Sequence, residues 1–104
     1  MNYNLIKNNN ELKSIFKKKK FALYFTSQIF ENLNNIIKNI MKDKYNINIL
    51  LYIFYVDKLA ISNINITTFP LLRIYSKNNN NNNFREYFIN NKKINELKEI
   101  FNLF

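Results

Sequence analysis

The stretch Asn63-Ile64-Asn65-Ile66-Thr67-Thr68-Phe69-Pro70-Leu71-Leu72-Arg73-Ile74-Tyr75 holds the only proline of a 104-residue chain that has no glycine and no cysteine. Without glycine, a chain has few cheap ways to turn sharply. Its one proline therefore marks a place where backbone direction matters. X-Pro is the peptide bond that becomes cis at low cost, and Leu71–Tyr75 behind it is apolar at most positions, as a strand is. A trans-proline opening an edge strand would suit the same residues, so the pattern on either side has to decide.

Upstream, Ile47–Asp57 is a continuous apolar run (INILLYIFYVD). Continuous rather than alternating apolar character predicts a strand covered on both faces. Phe21–Ser27 (FALYFTS) has the same character and predicts a buried central strand. Between them Phe30, Leu33, Ile36, Ile37, Ile40 and Met41 recur at helical spacing on one face. Nearer the N-terminus, Tyr3–Ile6 predicts an edge strand. Leu12, Ile15 and Phe16 then predict a short helix capped by Asn8–Asn10, with Lys17–Lys20 in its last turn, where cations suit the helix dipole. The segment KLAISNINI, from Lys58, is weakly helical. Downstream, Leu71–Lys77 and Phe84–Asn90 predict two strands of a hairpin. The asparagine tract 78–83 is the loop between them, asparagine being the next residue after glycine to tolerate positive φ. Ile94, Leu97, Ile100 and Phe101 close the chain on one helical face. The order is β-α-β-α-β followed by β-β-α. This predicts an α/β domain spanning 1–104, with a mixed central sheet and helices on both faces.

Composition removes whole classes of chemistry. No cysteine means no disulfide, no thiolate nucleophile and no Cys-ligated metal. No histidine removes His-based acid–base catalysis and the usual zinc sites. Without glycine there is no phosphate-cradling Gly loop. Thr26, Ser27 and Ser62 lack a base to activate them. Glu31 reads as a first-turn helix charge and Asp57 as a strand-end turn residue. No cofactor is expected. The N-terminus has no apolar signal segment, and the longest apolar run is about half of what a membrane span needs. A cytoplasmic location without a membrane span is the expectation. The net charge of +9 accompanies a composition rich in the Asn, Lys, Ile, Tyr and Phe of AT-rich codons. It also attracts polyanions.

Taken together, these elements and spacings resemble the thioredoxin family over nearly the whole chain. Thr68, Phe69 and Pro70 match the family's residues up to its cis-proline, and Leu71–Tyr75 match the strand after it. Tyr52–Asp57 (YIFYVD) resembles the strand before that loop, and Lys92–Phe101 resembles the closing helix. The resemblance implies a cis Pro70 and a turn that presents the backbone of Phe69 to an extended peptide. The chain departs from the family where its chemistry lies. Aligning Phe25-Thr26-Ser27 with the end of the family's central strand puts Phe30 and Leu33 where the two active-site cysteines would stand. The buried acid of many members falls at Tyr24. The implied protein is a degenerate, redox-inactive thioredoxin-like binding or adaptor module. Its partner would be a protein or extended peptide, held by Phe30, Leu33, Thr68, Phe69 and Pro70. The alternative is a basic RNA- or ribosome-associated protein of the same fold, with Lys17, Lys18, Lys19 and Lys20 as the anion-binding residues. Against that alternative, arginine is rare and the sequence shows no evident exposed aromatic stacking motif.

Overall fold

The computed structural model describes residues 3–18, 20–42, 50–57, 69–78 and 81–89, together with Glu96 and Glu99. Five strands form one sheet in the order β1-β3-β2-β4-β5. They are β1 (Tyr3–Leu5), β2 (Lys20–Thr26), β3 (Leu50–Tyr55), β4 (Leu71–Asn78) and β5 (Asn81–Phe88). β1, β3 and β2 run parallel. β4 is antiparallel to β2, and β5 to β4. Helix α1 (Asn9–Ile15) connects β1 to β2. After β2 come a 3₁₀ turn (Gln28–Phe30) and helix α2 (Glu31–Lys42).

β2 lies in the middle, and every residue from Phe21 to Thr26 is buried. Its unbroken apolar pattern has a direct cause. Ala22 and Tyr24 face a layer with Leu51, Ile53, Leu72, Ile74 and the apolar side of α2 (Leu33, Ile37, Ile40, Met41). Phe21, Leu23 and Phe25 face the opposite layer, with Tyr52, Phe54, Tyr75 and the α1 residues Leu12 and Ile15. A strand inside two cores has no polar face to offer.

Helix α1 starts at Asn8, whose side-chain Oδ1 accepts from the Glu11 N–H at 2.9 Å. The Glu11 carboxylate reaches back to accept from the Lys7 N–H at 2.7 Å. This reciprocal arrangement satisfies donors that a helix start leaves open. The other end departs from expectation. α1 stops at Ile15 with Phe16 as its C-cap, and the N–H groups of Lys17 and Lys18 bond Ser14 and Ile15 carbonyls three residues back. Lys17 and Lys18 therefore lie in a turn, and Lys20 opens β2 opposite Ser76. The lysine run is a helix-to-strand connection, not a last helical turn. Lys19 lies outside the described residues.

The asparagine tract is a second correction. The β4–β5 ladder continues through Ser76↔Asn83 and Lys77↔Asn82 to Asn78↔Asn81. Most of the tract is strand, and only positions 79 and 80 stand between paired residues. Backbone pairing in a hairpin is indifferent to weak side-chain propensity once the flanking strands set the register. The predicted helical segments after Asp57 and after Asn91 fall largely outside the described residues. Glu96 and Glu99 are helical and exposed.

Candidate functional site

β2 delivers the chain to one end of the sheet, and its last two residues build the site floor. Thr26 is buried, and its backbone carbonyl accepts from the Val56 N–H at 2.9 Å. Ser27 leaves the strand and caps the 3₁₀ turn: its carbonyl accepts from Phe30 N–H at 3.1 Å. The Gln28 N–H donates to the Asp57 carboxylate at 3.2 Å. Asp57 thus satisfies an otherwise open donor at the start of the helical segment, in keeping with its reading as a turn residue.

Beneath this turn is a polar network that sequence reasoning missed. Asn34 is 2% exposed. Its Oδ1 accepts from the Tyr24 hydroxyl at 2.9 Å and from Thr26 Oγ1 at 2.6 Å. Its Nδ2 donates to the Ser27 carbonyl at 3.0 Å. One amide therefore ties α2 to the end of β2. Tyr24, at the position of the family's buried acid, is a hydroxyl donor here, and its pKa is pushed up to about 12, chiefly by burial. A polar residue on the apolar face of a helix was the available signal: Asn34 follows Leu33 and precedes Ile37 by three positions.

Above the network lies a groove of about 330 Å³, lined by Ile29, Phe30, Asn32, Leu33, Phe69, Pro70, Phe88 and Ile89. The Phe69–Pro70 peptide bond is cis. Pro70 carbonyl accepts from the Ile89 N–H at 3.2 Å, fixing the turn to the end of β5. Four residues singled out in the sequence, Phe30, Leu33, Phe69 and Pro70, thus meet around one hollow. Thr68 lies outside the described residues. The four do not contribute equally. Leu33 is buried and belongs to the α2-side core, so it forms floor. Phe30 and Phe69 are half-buried, leaning against the α2-side and α1-side cores respectively. The exposed apolar surface comes instead from Ile29, 82% exposed on the lip, and from Phe88. Among the described residues, Asn32 is the sole polar member of the lining, and no charged side chain contributes to it. Among the described residues no hydrogen bond reaches the Phe69 backbone.

The described lysines of the basic run are remote from this groove. Lys20 opens β2 and Ser27 follows its end, so the strand residues between them span about 20 Å. Among the described residues no group of three or more His, Cys, Asp or Glu could hold a metal. No helix there is long and apolar enough to cross a membrane.

No protein-family model matches the sequence, and no curated protein matches it. Solved structures do. The chain superposes on Plasmodium falciparum thioredoxin with a TM-score of 0.73 at 18% identity, covering 97% of this chain and 85% of that one. It superposes on thioredoxin O2 of Arabidopsis thaliana with a TM-score of 0.73 at 16% identity, covering 98% and 93%. For Schistosoma mansoni thioredoxin the TM-score is 0.71 at 16% identity, covering 98% and 94%. The chain has the thioredoxin fold. It holds no cysteine, and with none, dithiol–disulfide exchange has no nucleophile.

Proposed function

We propose that this chain is a redox-inactive thioredoxin-fold module that binds an extended apolar segment of another protein in the groove beside Pro70. The observation that carries the reading is the lining. Seven of its eight described residues are apolar or proline, and Ile29 stands out from the fold at the lip. A side chain left this exposed does nothing for the core, but it can cover a ligand. The Phe69 backbone offers a main-chain edge beside the groove. An extended segment there would gain affinity from backbone hydrogen bonds and specificity from the side chain it places in the hollow. Chemistry is not needed for that role: the fold positions the surface, and the missing cysteines remove only the redox step.

The test is an array of extended peptides probed with the tagged chain, followed by titration of the best binder. Ile29→Asp leaves the fold intact, because Ile29 is exposed, and weakens the peptide at least tenfold. That figure follows from losing the burial of one aliphatic side chain, about 1.5–3 kcal/mol. Phe69→Asp has the same effect on binding with some loss of stability. Unchanged affinity in Ile29→Asp would overturn the reading.

A further inference from the structure

At the other end of the sheet the register lines up aromatic residues across three strands. Phe21 on β2 is opposite Tyr75 on β4, and Tyr75 is opposite Phe84 on β5. The Phe21 and Tyr75 rings stack with centroids 4.8 Å apart, and Tyr75 and Phe84 lie 5.3 Å apart. Phe16, the C-cap of α1, packs edge-on against both Phe21 and Tyr75 at 5.6 and 5.3 Å. The inner rings are core. Phe84 at the sheet edge is not: it is 45% exposed.

Phe84 is also held. The Arg73 guanidinium lies over its ring at 4.5 Å. That guanidinium is fixed in turn by the Glu86 carboxylate at 2.6 Å and by a hydrogen bond to the Tyr75 hydroxyl at 3.3 Å. The Arg73–Glu86 pair is neutral overall, so it orders the ring without adding net charge. The positive charge comes from next door. Lys17 and Lys18, both exposed, follow directly on Phe16, whose ring touches Tyr75. Arg85, the next residue of β5, pairs with Ile74 and faces the other side of the sheet, so it takes no part here.

We infer that this edge is a surface for single-stranded nucleic acid, with Phe84 stacking a base and Lys17 and Lys18 meeting the phosphates. An ordered ring, nearly half exposed, beside solvated cations is the pairing such binding uses: stacking for the bases and charge for the backbone. The net charge of +9 gives the attraction its sign. An acidic peptide would use the cations and has no need of the ring, and that difference makes the proposal testable.

The probe is a fluorescent oligouridylate of about twelve nucleotides, read by anisotropy across a salt series, beside an abasic oligomer of equal length. The native chain binds the oligouridylate more tightly than the abasic one. Phe84→Ala weakens oligouridylate binding about tenfold and leaves the abasic oligomer unchanged, and Phe84→Tyr, which keeps a stacking face, restores it. Charge reversal of Lys17 and Lys18 together weakens both probes and flattens the slope of log K against log salt by about 1.4. Ile29→Asp, in the distant groove, has no effect on either probe, so this surface and the groove can fail separately. Equal affinity for the two oligomers, or an unaltered Phe84→Ala, would overturn the proposal.

Discussion

Phe25→Ala is expected to destabilise the protein by about 3–5 kcal/mol, the range for emptying an aromatic site in a packed core. Phe25 has no exposed surface. It sits in the central strand, opposite Phe54 on one neighbour and Leu71 on the other. Its ring packs against that of Phe54 with centroids 5.8 Å apart. Neighbours on both flanking strands are held in place by the sheet ladder, so the hole cannot readily collapse. Small domains are stable by about 5–15 kcal/mol in total, which makes this one change a large fraction of the whole. Urea unfolding checks it: the midpoint falls sharply while the slope stays the same. Phe25→Leu, which refills most of the volume, loses much less. A loss below about 1 kcal/mol for the alanine would mean that the core on the α1 side is not packed as described.

The second large effect is at Asn34. Asn34→Leu keeps the volume and removes the amide that accepts from two buried hydroxyls. Each orphaned buried donor costs about 1–3 kcal/mol, so the expected loss for the two is about 2–6 kcal/mol. Removing the Tyr24 hydroxyl in the same background should recover part of it, because Tyr24→Phe takes away one of the orphans. The double-mutant cycle therefore shows a coupling energy, which independent sites would not. Tyr24 also gives a pH signature. Folded, it keeps its proton to about pH 12, while the unfolded chain releases it near 10. Between those values the unfolded state binds fewer protons, so stability falls as pH rises. The contribution is fully present below pH 10. Tyr24→Phe lacks this term, and the difference in alkaline unfolding between the two proteins isolates it from the other tyrosines and lysines.

The sequence was most informative where one residue type had one physical meaning. The continuous apolar runs Phe21–Ser27 and Ile47–Asp57 pointed to strands between two layers, and the spacing of Phe30, Leu33, Ile36, Ile37, Ile40 and Met41 to one helical face, with Phe30 falling in the 3₁₀ turn before it. The proline before Leu71 located the turn beside the groove. It was least informative where pairing overrides propensity. A run of asparagines looks like a loop, yet register carries it into β4 and β5. A run of lysines looks like the end of a helix, yet the helix stops before it, at Ile15, with the ring of its C-cap Phe16 packed against Phe21 and Tyr75. The candidate groove was half legible. Phe30, Leu33, Phe69 and Pro70 meet there, but the resemblance that nominated them could not say which would be floor and which surface. Ile29 and Phe88 supply most of the exposure, and neither belongs to a motif. Asn34 was hidden because a buried amide and a solvent-facing one look alike in a chain so rich in asparagine. The exposure of Phe84 was not evident either: strand alternation alone does not show which edge ring the core leaves uncovered.

The central claim is that the groove beside Pro70 binds an extended apolar segment, and residue-resolved NMR tests it most directly. The ¹⁵N-labelled chain would be titrated with the best-binding peptide from the array. The expected result is a set of amide shifts confined to Ile29, Phe30, Leu33, Phe69 and Ile89, saturating together and absent in Ile29→Asp. Shifts centred on Lys17, Lys18 and Phe84 instead, or none that saturate, would contradict it.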